Sequence, residues 1–105
     1  MNKQIETTNQ LEKVVSEMVK DIDKKLSIHK KYKTFKTKVS DRQYNINVIS
    51  EDGFEMITSA AIETIIEIKN AYNVFYRLLM FYHAGVCEYK GKKCPTIEIS
   101  VGGLF

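Results

Sequence analysis

The sequence has few of the residues that mark special chemistry. It contains no tryptophan, one proline, two cysteines and two histidines among 105 residues. Cys87 and Cys94 are separated by six residues, which excludes both a redox C-x-x-C motif and a zinc knuckle. A catalytic serine or cysteine needs a base within hydrogen-bond reach, and neither His29 nor His83 lies in a recognisable catalytic setting. We therefore predict that the chain is not an enzyme and holds no metal and no cofactor.

The two cysteines leave two other arrangements open. They flank a predicted hairpin turn, where cross-strand partners could come close enough to bond, but a reducing cytosol favours free thiols. His83 precedes Cys87 by four residues, so a site with three metal ligands can be drawn. Structural zinc sites almost always use four ligands, and a fourth is not evident. Two free thiols are the expectation.

No apolar run is long enough to cross a membrane. Such a span needs about 20 predominantly apolar residues, and charged side chains such as Glu63, Lys69 and Arg77 interrupt the longest candidate. The first ten residues are polar and lack the pattern of a secretory signal. The sequence therefore predicts a cytoplasmic protein without a membrane partner.

Linkers and low-complexity segments are also missing. Apolar residues make up 44% of the chain and charged residues 28%, which is ordinary for a globular domain and unlike a disordered segment. We predict a single domain over 1–105, with residues 1–6 as a flexible tail.

Two stretches have the period of an amphipathic helix. The first begins near Thr7 or Asn9, each in a capping-box pattern, and its apolar positions continue to Leu26. The second runs from Thr58, a capping residue, to Gly85, where glycine can close a helix. Its apolar seam recurs at spacings of four and three, at Ala61, Ile65, Ile68, Tyr72, Phe75, Leu79 and Tyr82. A six-turn helix with so wide an apolar stripe must be covered on two sides.

Other stretches alternate with a period of two, which indicates strands. Phe35, Thr37 and Val39 alternate with lysines, and after a turn at 40–43 the alternation resumes from Tyr44 to Val48. We expect the apolar set of this hairpin to face the core and the lysines to face water. A short third strand is predicted at 54–57 and a second hairpin from 86–89 and 96–101, with the proline in its turn. The fold class is therefore α+β, a two-layer domain in which two helices pack on an antiparallel sheet of four to five strands, in the order α-β-β-(β)-α-β-β.

Positive charge is concentrated between residues 24 and 42. This basic segment has eight basic residues against Asp41 alone, with Tyr32 and Phe35 among them. A basic face with aromatic side chains can neutralise phosphates and stack bases, so nucleic acid is one partner to consider and an acidic protein is another. The alternative is that the lysines solvate a helix end and a strand face. The candidate binding residues are Lys30, Lys31, Lys33, Lys36, Lys38 and Arg42.

The tyrosines of the second helix point to contact with other protein, because tyrosine combines large apolar area with a hydroxyl that tolerates water. The predicted interface consists of Tyr72, Phe75, Tyr76, Leu79 and Tyr82. The sequence thus favours a small non-enzymatic protein-protein interaction module that forms a homodimer and binds a partner protein. The abundance of lysine, isoleucine and asparagine suits an AT-rich genome, and hence an accessory, adaptor or inhibitor protein of a phage or mobile element. The alternative is a nucleic-acid-binding protein that uses the basic segment.

Overall fold

Five strands form one mixed sheet, and two helices cover one of its faces. The computed structural model describes residues 3–28, 32–52 and 55–105. The elements in chain order are β1 (Lys3–Gln4), α1 (Thr8–Leu26), β2 (Tyr32–Ser40), β3 (Gln43–Ser50), α2 (Ser59–Phe75), β4 (Tyr76–Tyr89) and β5 (Lys92–Gly103). The strand order is β1-β4-β5-β3-β2, with every pair antiparallel except β1 and β4. The predicted α+β class is confirmed. The parallel pairing of β1 with β4 was not predicted.

The first helix begins where the sequence predicts. Thr7 caps α1 by accepting a hydrogen bond from the Gln10 backbone N–H at 3.1 Å, and the Gln10 side chain accepts from the Glu6 N–H at 2.7 Å. Its apolar positions from Leu11 to Leu26 are buried against β3 and β5, in one core shared with α2.

The second helix is shorter than predicted. Thr58 caps it through the Ala61 N–H, as expected, and Ala61, Ile65 and Ile68 are buried. The helix ends at Phe75, however, and the chain continues directly as β4 from Tyr76. The prediction of a single helix to Gly85 is therefore wrong.

The error has a physical cause. From residue 74 to 82 nearly every side chain is apolar, so positions at spacings of three and four are filled whether or not the segment is helical. Aromatic residues in this run also favour a strand. Pairing with β5 makes the segment a strand rather than a helix, because it places Leu78 and Met80 in the core beside Val101.

The β2–β3 hairpin and its turn at Asp41 and Arg42 are as predicted, but the face of β2 is reversed. Lys36 lies opposite Ile46, which is a core residue, and Val39 is 52% exposed. Since β2 is at the sheet edge, α1 does not fully cover it. On this face, Lys36 contacts Ser16 and Glu12 of α1, and Lys38 pairs with Asp41 in the turn.

The β4–β5 hairpin is longer and tighter than predicted. Its turn is only Lys90 and Gly91, both with positive φ, at 50° and 76°, which is the geometry of a two-residue hairpin turn. Pro95 therefore lies within β5, contrary to the prediction of a turn proline. It lies before Ile97, where the pairing of β5 with β3 begins, so its missing N–H costs no bond to β3.

The hairpin end curls over the face of the sheet that has no helices, here called the open face. Two strands separate β4 from β2, yet the Tyr89 and Phe35 rings stack with centroids 5.1 Å apart. Strands lie about 4.8 Å apart in a sheet, so a flat sheet would hold these residues much farther apart. Ile49 and Cys94 are buried on this open face.

The structure also differs from two predictions about short segments. Lys3 and Gln4 pair with Tyr76 and Arg77, and Ile5 is buried in the core, so this part of the expected flexible tail is ordered. Glu55 to Ile57 is an extended connection and not a strand. Phe54, the first residue of the predicted third strand, lies outside the described residues.

Candidate protein-binding surface on α2 and β4

Exposed apolar side chains gather at the end of α2 and along β4. We call this set the β4 surface. It consists of Phe75, Leu79, Phe81, Tyr82 and Val86, which are 71%, 51%, 60%, 47% and 66% exposed. Single exposed apolar residues are common, but several of them close together along one strand make that strand a candidate binding surface, here on both of its faces. The interface predicted from the sequence includes Phe75, Leu79 and Tyr82 but not Phe81 or Val86.

The five predicted interface residues do not share one face. Tyr72 and Tyr76 are half-buried and stack on each other with centroids 6.0 Å apart. Leu79 lies on the open face of β4, whereas Tyr82 lies on the helix-covered face, because neighbouring positions of a strand alternate in direction. The helical seam that grouped them does not exist beyond Phe75.

A groove between α1 and α2 lies next to Phe75. We call it the Phe75 groove. It has a volume of about 340 Å³ and is lined by Glu17, Asp21, Ala71, Tyr72, Phe75 and Tyr76. One side is aromatic and the other carries two carboxylates.

The groove wall is held in place by a hydrogen bond between the helices. The Tyr72 hydroxyl donates to Asp21 Oδ2. Burial, and then this bond, raise the pKa of Tyr72 well above its ordinary value of 10, so the hydroxyl stays protonated and continues to donate. The Tyr72 ring is therefore fixed before any ligand arrives.

The predicted basic residues do not form one free patch. Lys36 Nζ donates to Ser16 Oγ at 2.6 Å and lies 3.4 Å from Glu12 Oε1, both on α1. Lys38 pairs with Asp41 at 3.2 Å, and its hydrogen bond to that carboxylate raises the pKa of Lys38. Lys30 and Lys31 lie outside the described residues.

The other two members lie at opposite ends of β2. Arg42 is in the β2–β3 turn, with its guanidinium carbon 5.9 Å from the centre of the Phe105 ring. Lys33 points to the open face, where it and Lys90 each lie 5.4 Å from the Tyr89 ring centre. The cluster of Lys33, Lys90, Tyr89 and Phe35 therefore combines charge with stacked aromatic rings.

A larger polar groove adjoins that cluster. It has a volume of about 810 Å³, and its lining brings the carboxylates of Asp23 and Glu51 to the same end of the molecule as Lys33 and Lys90. Charges of both signs line it, so an anion would meet repulsion as well as attraction there.

Cys87 and Cys94 are directly opposite each other in the β4–β5 ladder and are both free. Burial raises the pKa of the Cys87 thiol, which makes it less reactive. His83 is four strand positions away, roughly 13 Å at about 3.3 Å per residue, and its Nε2 lies 3.2 Å from Glu98 Oε1. Within the described residues, no group of three or more His, Cys, Asp or Glu side chains is placed to hold a metal ion.

Comparison of the chain with protein-family models, with curated proteins and with solved structures gives no significant match. Among the described residues, no helix is both long enough and apolar enough to cross a membrane.

Proposed function

We propose that this chain is a non-enzymatic protein-protein interaction module that binds a partner protein through the Phe75 groove. The observation that carries the proposal is the pairing of an exposed aromatic side chain with a preformed groove. Phe75 is 71% exposed beside Tyr72, which is already fixed by Asp21. A rigid aromatic wall loses little conformational entropy on binding, and aromatic residues dominate the energetics of interfaces.

The lining of the groove also suggests the chemistry of the partner. Glu17 and Asp21 lie beside the aromatic wall. An apolar side chain flanked by lysine or arginine would bury its apolar part on Phe75 and place its charge near the carboxylates. The partner is therefore an apolar segment with a neighbouring basic residue, and the module acts in the cytoplasm as an accessory, adaptor or inhibitor protein.

Nucleic-acid binding is the second candidate. The Lys33, Lys90, Tyr89 and Phe35 cluster supports it, because cations beside aromatic rings suit single-stranded nucleic acid. Lys36 and Lys38 count against it, since both already have carboxylate partners. We favour the protein partner for that reason.

The test is affinity capture from a lysate of the native cells, with and without nuclease. We expect the wild type to capture a protein that resists nuclease, and Phe75→Ala to bind it at least about tenfold more weakly, as aromatic hot spots do. Met56→Ala is the matched control, because Met56 is as exposed as Phe75 and lies outside the groove. Capture that disappears with nuclease, or that survives Phe75→Ala unchanged, would contradict the proposal.

A further inference from the structure

The long strand β4 has an open edge. Within the part of the chain that the structure describes, β1 covers this edge only beside Tyr76 and Arg77. From Leu78 to Tyr89, β4 pairs with β5 along its other edge, and no strand pairs with the open edge. The sequence from Leu78 to Cys87 contains no Lys, Arg, Asp or Glu. A long apolar edge of this kind presents unpaired N–H and C=O groups to any strand that approaches.

The opposite edge of the same sheet is protected. β2 carries Lys33, Lys36 and Lys38, and lysines on an edge strand discourage pairing with another chain. The sheet therefore has one edge that resists addition of a strand and one that does not.

We propose that the β4 edge pairs antiparallel with β4 of a second copy of this chain, so that the two sheets join into one. This inference rests on the proposed function, since it names one partner of the module. An uncharged edge is best matched by another uncharged strand, and β4 is itself such a strand. The two-fold axis runs perpendicular to the sheet, which places the helices of both copies on the same face.

Antiparallel pairing also limits the size of the assembly. A two-fold contact uses the same edge of both copies, so each β4 edge is covered once. Because the β2 edge is protected, the assembly closes at two copies and does not extend into a fibre.

Exposed apolar side chains flank this edge and add to the contact. An aromatic side chain has about 150–250 Å² to bury, so the exposed fractions of Phe81 and Tyr82 amount to roughly 200 Å² on each copy. Leu79, Val86 and the edge backbone add to this area.

Sedimentation equilibrium from micromolar to several hundred micromolar concentration tests this arrangement. We expect the wild type to have twice the 12.2 kDa chain mass and Phe81→Lys to be a monomer, with a dissociation constant raised at least about tenfold. Val39→Lys is the matched control, because Val39 is similarly exposed but lies on β2. It should remain a dimer.

Circular dichroism checks that each variant folds. If Phe81→Lys does not fold, Val86→Lys is used in its place. Hydrogen exchange then locates the contact, since those backbone amides in 78–87 that point away from β5 should be protected in the dimer and exchange faster in the monomeric variant. A wild type that stays monomeric, a dimer that survives both lysine variants, or a dimer without protection in β4 would each overturn the inference. None of these outcomes changes whether Phe75→Ala abolishes partner capture, so the two proposals fail separately.

Discussion

At the scale of single residues, the contact between Glu12 and its neighbours joins α1 to the sheet. The Tyr44 hydroxyl donates to Glu12 Oε2 at 3.0 Å, and Lys36 lies beside the same carboxylate. The Tyr44 hydrogen bond, and then the Lys36 charge, hold the pKa of Glu12 below its ordinary value of 4.5. The sequence shows Glu12 only as a polar position of α1, because its partners lie on strands far along the chain.

We predict that this contact makes the protein sensitive to acid. A carboxyl group with a lowered pKa in the folded state contributes stability that is present above the unfolded-state pKa and lost as the pH falls through the folded-state value. The free energy of unfolding of the wild type should therefore decrease between roughly pH 5 and pH 3, and Glu12→Gln should show a smaller decrease. Urea unfolding across this range measures both.

The control is Glu63→Gln, which removes an exposed carboxylate from α2 and leaves Tyr44 and Lys36 untouched. It should keep the acid-side decrease of the wild type. Equal slopes for Glu12→Gln and the wild type would mean that the contact contributes nothing to folding.

At the scale of elements, the sequence predicts where the two helices begin better than where α2 ends. The caps at Thr7 and Thr58 and the β2–β3 turn are correct because they depend on neighbouring residues. The end of α2 depends on β5, which lies later in the chain and supplies the pairing partner of β4. The β4 surface shares this dependence, so periodicity alone could not place Leu79 and Tyr82 on opposite faces.

A pair of alanine variants separates the predicted helix from the observed one. A helix to Gly85 would bury both Ile68 and Phe75, whereas the structure buries Ile68 and leaves Phe75 71% exposed. We expect Ile68→Ala to lower the free energy of unfolding by about 2–5 kcal/mol, as core truncations do. Phe75→Ala should change it by no more than about 0.5 kcal/mol, as at a surface site.

Chemical denaturation of the two variants in parallel gives the comparison. A large decrease for Phe75→Ala would show that this side chain is buried in the monomer, and would return it to the core of a longer helix.

At the scale of the whole molecule, charge is distributed so that the basic segment is partly neutralised. The chain has a net charge of +3, and Lys36 and Lys38 are each paired with a carboxylate. We therefore predict that Lys33, Lys36 and Lys38 together contribute little to any binding. Changing all three to glutamine should leave capture of the partner protein unchanged.

A filter-binding titration with DNA and RNA at low and moderate salt checks this prediction. If the lysines instead hold phosphates, the wild type will bind in a salt-sensitive way. In a plot of log affinity against log salt, the slope for the triple variant will then be smaller in magnitude, by up to about 0.9 for each phosphate of duplex DNA that it no longer neutralises. The control is a triple change of Lys13, Lys20 and Lys25 on α1, which removes the same charge elsewhere.

The position of β5 in the sheet has a consequence for how the chain folds during synthesis. β5 is last in sequence but lies between β4 and β3, and β1 can pair only after Tyr76 and Arg77 have been made. A nascent chain without β5 lacks the middle strand of its sheet, so the apolar strand β4 is left unpaired along most of both edges. Folding therefore waits for the final strand, and we expect chains stalled before Lys92 to bind chaperones or aggregate.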